Sequence, residues 1–178
     1  MSDMNYEEKT FILHDIKNMD NSDLFTDGKT HQFYTGNKYA FCKGCFDCWL
    51  KTPGVCILRD SVFGLANHLS DCSTFVIVSK LLYGGFSTCV KGVTDRLIAF
   101  NLPYFKKLNG ELHHIPRYDN QFKMRVFFYG EATDNEKETA EEYVSRIALN
   151  LNNEDYKTVF LKDESEWRKI YENIACGL

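Results

Sequence analysis

Short apolar runs recur along the chain and predict a set of buried strands. The run at residues 74–79 (TFVIVS) is the clearest, since it is apolar on both faces, as a central strand of a parallel sheet must be. Similar runs at 9–16, 122–129 and 156–161 predict three further strands, and 31–35 predicts a weaker one. The pattern therefore predicts five strands.

Between these runs, apolar residues recur at helical spacing and predict four helices. One is expected over 61–69, and a second follows a glycine turn, with Ser87 as its N-cap. Thr133 and Glu136 form a capping-box pattern for a third, and residues 165–174 form the fourth. The predicted inward-facing positions are Val62, Leu65, Ala66 and Leu69; Val90, Val93, Leu97 and Ile98; Tyr143, Val144, Ile147 and Leu151; and Trp167, Ile170, Tyr171 and Ile174.

This alternation of strands and helices predicts a single domain over residues 1–178 with an α/β fold. Strands that alternate with helices at this spacing imply a five-stranded parallel sheet. Right-handed crossovers place helices on both faces, so we expect a three-layer α/β/α sandwich. Ligands bind such sheets beyond the carboxyl ends of the strands, which directs attention to the loops at 17–29, 80–87 and 130–134. Residues 101–121 are predicted to form a long aromatic and polar loop.

The net charge of −4 is unevenly distributed. Residues 1–130 carry 15 basic and 13 acidic side chains, whereas residues 131–178 carry 6 and 12, so the acidic excess lies in the last third. No basic tract stands out, which argues against nucleic acid as a partner. No apolar run approaches the roughly 20 residues of a membrane span, so a membrane is not expected either. The N-terminal sequence MSDMNYEEKT resembles neither a signal peptide nor a transit peptide, and a cytoplasmic location is expected.

Four of the seven cysteines crowd into fifteen residues with the spacing C-x2-C-x2-C-x7-C. They are Cys42, Cys45, Cys48 and Cys56. Four thiolates at this spacing are able to ligate an iron–sulfur cluster or a zinc ion, and free cysteines also pack as small hydrophobes or act as redox thiols. The spacing leaves these interpretations open. Cys72, Cys89 and Cys176 lie in apolar stretches and are predicted to be core residues.

Two stretches resemble the flavodoxin-like NADPH-dependent FMN reductases and iron–sulfur flavoproteins. One is the cysteine segment, 42–60 (CKGCFDCWLKTPGVCILRD). The other is 74–96, in which a strand, the sequence YGGFS at 83–87 and a helix match the family's third strand, flavin loop and next helix. The resemblance covers most of residues 40–175. It implies a flavodoxin-like fold, FMN at the carboxyl edge of the sheet, NAD(P)H as hydride donor, and a homodimer or a partner flavoprotein. The iron–sulfur flavoproteins of the family use a similar compact cysteine pattern, but the segment also occurs in the family as a structural loop, and the resemblance alone does not imply a metal.

Carried over to this chain, the resemblance places the glycine turn against the isoalloxazine ring. A glycine turn lets backbone amides approach the ring closely, and an aromatic neighbour covers it. A plain strand-to-helix turn explains the same residues without a ligand. The predicted cofactor-binding residues are Lys80, Leu81, Leu82, Tyr83, Gly84, Gly85, Phe86, Ser87 and Gly130. The predicted metal ligands are Cys42, Cys45, Cys48 and Cys56.

The first loop departs from the family pattern. The family has a Gly-Ser-Pro-Arg-like stretch there, whose N–H groups bind the FMN phosphate. Residues 16–25 (IKNMDNSDLF) instead contain Asp20 and Asp23, with Lys17 as the one basic residue. An aspartate beside a phosphate is repelled by about 1 kcal/mol or more when partly desolvated. The first helix is also missing from the pattern, and Lys80 is a candidate replacement for the phosphate's usual cation.

Three functions therefore stay open at the level of sequence. The first is an FMN-binding, NAD(P)H-dependent oxidoreductase, which the intact turn at 83–87 favours. The second is a degenerate flavodoxin-like subunit that has lost flavin binding and acts through a partner, which the acidic first loop favours. The third is an iron–sulfur or thiol redox protein. His113 and His114 belong either to a lid over the flavin or to an ordinary surface loop, and His14 is predicted to be structural.

Overall fold

The computed structural model describes residues 9–17, 19, 29–108 and 110–175. Every element predicted from the hydrophobic pattern is present, with its ends shifted by a few residues. The strands are β1 (Thr10–His14), β2 (Thr30–Tyr34), β3 (Thr74–Lys80), β4 (Asn101–Leu108), β5 (Glu111–Pro116), β6 (Lys123–Tyr129) and β7 (Tyr156–Leu161). The helices are α1 (Asp47–Leu50), α2 (Leu65–Ser70), α3 (Thr88–Arg96), α4 (Asp134–Asn150) and α5 (Glu164–Ala175), and a 3-10 turn, Leu97–Phe100, follows α3.

Five strands form one parallel sheet in the order β2-β1-β3-β6-β7. Thr74 of β3 lies opposite Thr10 of β1 on one side and Lys123 of β6 on the other. The spatial order reverses between β1 and β3, so the connections leave these two strands in opposite directions. Such a switch point opens the crevice in which flavodoxin-like sheets bind their ligands. The predicted five-stranded, flavodoxin-like α/β fold is confirmed.

The central strand β3 is buried on both faces and separates two hydrophobic cores. Phe75 and Ile77 face the core that α2, α3 and α4 cover. Val76 and Val78 face the opposite core, which contains Trp167 of α5. Consecutive side chains along a strand point to opposite faces, so a strand in the middle layer has to be apolar throughout.

Two helices begin where their sequence signals predict. The Ser87 hydroxyl accepts the backbone N–H of Val90 at the start of α3. At the start of α4, the Thr133 hydroxyl accepts the Glu136 N–H, and the Glu136 carboxylate accepts the Thr133 N–H at 2.9 Å. Both caps lie at the ends of the loops that follow β3 and β6, so they fix the edge where a ligand is expected.

The expectation of a loop over residues 101–121 is wrong, because most of this stretch is an antiparallel hairpin of β4 and β5. Phe105 lies opposite His114, and Lys106 lies opposite His113. Both strands carry partly exposed polar and aromatic side chains on both faces. The alternation of apolar and polar residues on which strand prediction depends is therefore missing.

Some sequence-based expectations fall outside the described residues. They concern Cys176 and residues 18 and 20–28, which include Asp20 and Asp23 of the first loop. Within the described part of the chain, no helix is long and apolar enough to cross a membrane.

We expect Trp167→Ala to lower the free energy of unfolding by about 3–5 kcal/mol, because a large, fully buried side chain is replaced by a cavity. The Trp167 ring packs against Phe127, 4.8 Å away between ring centroids, and holds α5 on the sheet. Trp167→Phe should cost less, since it keeps a ring and removes an indole N–H that has no hydrogen-bond partner among the described residues. Urea unfolding followed by circular dichroism measures both losses. Equal losses would contradict the packing explanation.

Candidate functional site

The carboxyl ends of β1, β3 and β6 bring polar residues together at one edge of the sheet. Asp15 follows β1, Lys80 ends β3 opposite Tyr129 of β6, and Gly130 follows β6. The two carboxylate oxygens of Asp15 accept the backbone N–H of Lys80 at 3.2 and 3.1 Å. This bond joins the exits of β1 and β3, and it anchors the loop that begins at Lys80.

Asp15 is a partly buried carboxyl with neutral hydrogen-bond donors around it. Burial raises the pKa of Asp15, and hydrogen bonds from Ser87, the Lys80 backbone and Tyr129 oppose the shift. Burial also raises the pKa of Tyr129, with the Asp15 charge adding to the effect, so its phenol stays protonated. The neighbouring His14 is fully buried and neutral, because burial lowers its pKa to about 4. A second anion beside Asp15 is repelled unless that carboxyl is protonated.

The loop after β3 is a tight turn that projects one aromatic ring into solvent. Leu82 and Gly85 exchange backbone hydrogen bonds of 3.0 and 2.9 Å. Between them, Tyr83 and Gly84 have positive φ angles of 51° and 76°. Two consecutive left-handed residues are typical of a type I′ turn, in which glycine is favoured. The Tyr83 side chain is 93% exposed, so its ring is available to stack on a planar ligand.

Three of the predicted cofactor-binding residues have structural roles in the folded protein. Phe86 is only 7% exposed and packs against Phe128 and Tyr143. Leu81 is buried, and Ser87 is buried as the cap of α3. The plain-turn interpretation explains these three, and Gly84, within the turn itself, is buried against Thr139 of α4. The predicted residues that stay wholly or partly exposed are Lys80, Leu82, Tyr83, Gly85 and Gly130. That they bind a cofactor stays a prediction.

Asp15, Ser79 and Tyr129 belong to this edge although no sequence motif marks them. The Ser79 hydroxyl accepts the Ser87 N–H at 2.8 Å and donates to the Lys80 carbonyl at 2.9 Å. These residues share one signal, since each is a polar residue at or just beyond the end of a buried strand. Polar residues at such positions are placed where the sheet meets solvent.

The four clustered cysteines line one small cavity of about 40 Å³, together with Arg96 of α3. Cys42 and Cys45 are exposed, Cys56 is partly exposed, and Cys48 is buried. Zinc–sulfur bonds of about 2.3 Å in a tetrahedral site bring thiolates within roughly 3.8 Å of one another. Within the described ranges, no three His, Cys, Asp or Glu side chains are placed to hold a metal ion. The structure therefore does not support the predicted metal site, and an iron–sulfur cluster is not supported either.

A buried arginine clamps the cysteine segment to α3. The Arg96 side chain is 1% exposed, and its Nη1 donates to the Asp60 carboxylate at 2.6 Å and to the Ala40 carbonyl at 3.0 Å. Its Nη2 donates to the Leu58 carbonyl at 3.1 Å. Burial favours a higher pKa for Asp60, but the bonds from Arg96 and from the Ala40 and Val62 N–H groups together outweigh it and hold the Asp60 pKa below its usual value. The clamp therefore holds both flanks of the cysteine segment.

Cys72 and Cys89, which lie outside the cysteine segment, differ in burial. Cys72 is buried as predicted, and burial raises the pKa of its thiol to about 12. Cys89 is exposed, so the prediction that it is a core residue is wrong. It precedes the buried Val90 in α3, and successive helical residues point about 100° apart, which turns Cys89 outward.

The polar residues of the hairpin hold it to the rest of the protein. His113 is buried, and its Nδ1 lies 3.3 Å from the Asn150 side-chain oxygen of α4. The Glu111 carboxylate accepts from Arg146 of α4 at 3.0 Å. The His114 ring lies between Trp49 of the cysteine segment and Phe105 of β4, with centroid distances of 4.8 and 4.4 Å. These contacts favour an ordinary structural hairpin over a lid that closes on a flavin.

Comparison with known proteins reveals structural neighbours. No protein-family model matches the chain, and no curated protein matches it. An FMN-dependent NADH-azoreductase from Bacillus anthracis str. Ames Ancestor, solved in complex with FMN, has a TM-score of 0.55 at 16% identity, covering 94% of this chain and 96% of that one. An azoreductase from Bacillus anthracis str. Sterne has a TM-score of 0.55 at 14% identity, with 94% and 92% covered. Azoreductase AzrA has a TM-score of 0.53 at 11% identity, with 93% and 92% covered. At these identities the likeness shows a shared fold.

We expect Gly84→Ala to destabilise the protein by about 1–3 kcal/mol, because it forces a side chain into a tight space at a positive φ. A Cβ at this position would lie 2.6 Å from Thr139 Cγ2 of α4. Gly85→Ala is the matched control, since its Cβ would meet nothing closer than 3.8 Å. Thermal unfolding compares the two variants. A Gly85→Ala loss as large as that of Gly84→Ala would contradict this account of the turn.

We expect Asp60→Asn to lower the free energy of unfolding by about 2–4 kcal/mol near neutral pH, because the buried Arg96 charge loses its carboxylate. This loss of unfolding free energy is smaller than that for a fully buried ion pair, because the Asp60 side chain is 20% exposed. The folded pKa of Asp60 is depressed, so its stabilisation is present above the unfolded value of about 3.9 and is lost as the pH falls through the folded value.

The difference between Asp60→Asn and the unmodified protein should therefore shrink in acid. Urea unfolding at roughly pH 7 and roughly pH 2, which lies well below the unfolded pKa, measures the two differences. Asp119→Asn, which alters an exposed carboxylate, should have little effect at either pH. A deficit for Asp60→Asn that is the same at both pH values would argue against the ion-pair explanation.

Proposed function

We propose that this protein is an FMN-binding oxidoreductase that takes hydride from NAD(P)H. The observation that carries the proposal is Tyr83, whose exposed ring stands on a turn at the β1/β3 edge. Sheets with this strand order bind FMN at that edge. The FMN-dependent NADH-azoreductase of the same fold adds support, because it was solved with FMN.

The exposed side chains of the turn fit the ring system of a flavin. Tyr83 offers an aromatic face, and Leu82 beside it offers an apolar side chain. FMN, when bound, supplies the ring that accepts a hydride and passes the electrons on. The contribution of this chain is binding and orientation. Tyr83 and Leu82 cover the ring, and the close approach of Gly84 to Thr139 of α4 keeps the turn in place.

The phosphate of FMN requires positive charge at the same edge. Lys80 is exposed at the end of β3, and we assign it the role of phosphate cation. Asp15 opposes this role, because its carboxylate accepts the Lys80 backbone N–H and, when charged, repels a phosphate beside that lysine. We therefore infer that FMN binds weakly at neutral pH. Binding should strengthen as the pH falls and protonates Asp15, whose pKa is raised.

The Asp15 carboxylate also favours a second function, in which the chain is a subunit that has lost flavin binding and acts through a partner protein. Exposed apolar side chains on the cysteine segment and the hairpin offer a surface for a second copy or for a flavin-bearing partner. They are Phe46, Leu50, Tyr104, Phe105 and Leu112. We propose a cytoplasmic location under either function.

The first experiment is an anaerobic absorption spectrum of the purified protein, repeated after addition of FMN and then of NADH or NADPH. We expect a protein-perturbed flavin spectrum that bleaches on addition of the nicotinamide. A protein that leaves the spectrum of added FMN unperturbed would contradict the oxidoreductase proposal and favour the partner-dependent subunit. Broad brown absorption that fades in air would instead indicate an iron–sulfur cluster.

Tyr83→Asn tests the assigned ring contact. Asparagine tolerates the left-handed conformation, so the turn is kept while the ring is lost. We expect the FMN dissociation constant to rise roughly two- to tenfold, which corresponds to one aromatic contact of about 0.5–1.5 kcal/mol. Tyr104→Asn removes another exposed ring, from β4, and should leave FMN binding unchanged. Fluorescence titration with FMN measures both, and equal effects would contradict the assigned site.

A further inference from the structure

We propose that Cys48 and Cys56 form a redox-active dithiol that exchanges with small disulfides, with Cys56 as the attacking thiol beside Arg96. The proposal concerns the cavity of the cysteine segment, so it goes beyond the proposed flavin function and does not depend on it. Its basis is the way in which the backbone folds the segment, the burial of the two thiols, and one unpaired N–H group of the arginine.

The backbone of the cysteine segment folds back on itself and brings the two thiols to one cavity. The Gly54 N–H donates to the Cys48 carbonyl at 2.9 Å, and the Thr52 N–H donates to the Asp47 carbonyl at 2.8 Å. Cys48 and Cys56 therefore approach from opposite ends of this fold and both line the cavity of about 40 Å³. That volume leaves room for the thiols to rotate, since a site for one water needs roughly 10–15 Å³.

Cys48 has the properties of a resolving thiol, the one that attacks second. It is buried, and its pKa is raised, first by burial and then by the neighbouring thiols, of which Cys56 has the strongest effect. The burial of Cys48 therefore shields it from reagents in solution until a partner within the cavity is modified. Cys56 is partly exposed, so a small disulfide reaches it before it reaches the buried Cys48.

Arg96 identifies Cys56 as the attacking thiol. Both Nη atoms of Arg96 are occupied by Asp60 and by backbone carbonyls, but its buried Nε–H has no hydrogen-bond partner in the described part of the chain. Burial tends to lower the pKa of Arg96, yet Asp60 and Cys56 raise it overall. Arg96 lines the same cavity as Cys56, so we assign its unpaired Nε–H as the donor to the Cys56 sulfur.

The chemistry balances as two thiol–disulfide exchanges. The Cys56 thiolate attacks one sulfur of a small disulfide, RSSR, so that a bond forms between Cys56 and SR while RS⁻ leaves and takes a proton from water. The Cys48 thiol then loses its proton to water, and its thiolate attacks the Cys56 sulfur and displaces the second RS⁻, which is protonated in turn. Two protein thiols are oxidised to one disulfide, and RSSR is reduced to two RSH.

The test uses the purified, reduced protein and glutathione disulfide. After incubation, free thiols are alkylated and the peptides are mapped by mass spectrometry. We expect a Cys48–Cys56 disulfide, with Cys72 unmodified as a sign that the protein stays folded. The proposal is overturned if Cys48 and Cys56 both remain alkylated, if Cys42 and Cys45 form the pair instead, or if the purified protein retains metal on these cysteines.

Single variants test the order of attack. Cys48→Ser should trap glutathione on Cys56, whereas Cys56→Ser should leave the buried Cys48 unmodified. Cys89→Ser removes an exposed cysteine outside the cavity and should not alter formation of the disulfide. Glutathione on Cys48 in the Cys56→Ser protein would overturn the assigned order.

Arg96→Lys tests the positioning role of the arginine. A lysine keeps the charge but lacks the Nε–H of the guanidinium, and it also loses part of the clamp on Asp60 and Leu58. Asp60→Asn, which loosens the clamp but keeps the Nε–H, is the matched control and should leave the ratio of Cys56 to Cys45 modification closer to that of the unmodified protein. We expect modification of Cys56 to slow about tenfold relative to Cys45 in the same molecule, as the loss of one charge-assisted hydrogen bond implies. Using Cys45 as the internal reference separates this effect from unfolding, which would also expose Cys72. An unchanged ratio of Cys56 to Cys45 modification would refute the role of Arg96.

Discussion

The burial of β3 on both faces is the constraint on which the rest of the structure depends. Phe75 to Val78 are fully or nearly fully removed from water, so helices have to cover the sheet on both sides. The apolar run stops at Val78, the next residue is a hydrogen-bonded serine, and Lys80 is exposed. That change from apolar to polar marks where the sheet meets solvent. The candidate site begins there because a polar ligand gains access to the sheet at that point.

Asp60 and Asp15 show how the surroundings of a carboxyl group set its pKa. Asp60 faces a buried guanidinium, and its pKa is lowered because the charged form is paired. Asp15 receives hydrogen bonds from neutral donors, and its pKa is raised because burial outweighs them. The first carboxylate fastens the cysteine segment to the domain. The second places a carboxyl group at the edge of the sheet where β1 and β3 end.

Helix α3 connects the two candidate sites. Its cap, Ser87, is hydrogen-bonded to the end of β3 through Ser79, and its last residue, Arg96, lines the cavity of the cysteines. Nine helical residues span about 13 Å, so the two sites lie on one short rigid element. The same helix thus serves the turn that carries Tyr83 at one end and the thiols at the other.

The order of strands and helices, the fold class and the helix caps were readable from the sequence, because each depends on how one local segment divides its side chains between core and water. The hairpin at β4 and β5 was not readable, since its strands are stabilised by each other and by Trp49 rather than by an alternating pattern. The sequence marked the turn at Tyr83, but only packing against α4 separated its exposed ring from the buried Phe86. Likewise, the cysteine spacing is visible in the sequence, whereas the clamp of Arg96 on Asp60 joins residues 36 positions apart. Contacts of this kind form only when distant elements pack together, and for that physical reason the tertiary structure alone decided them.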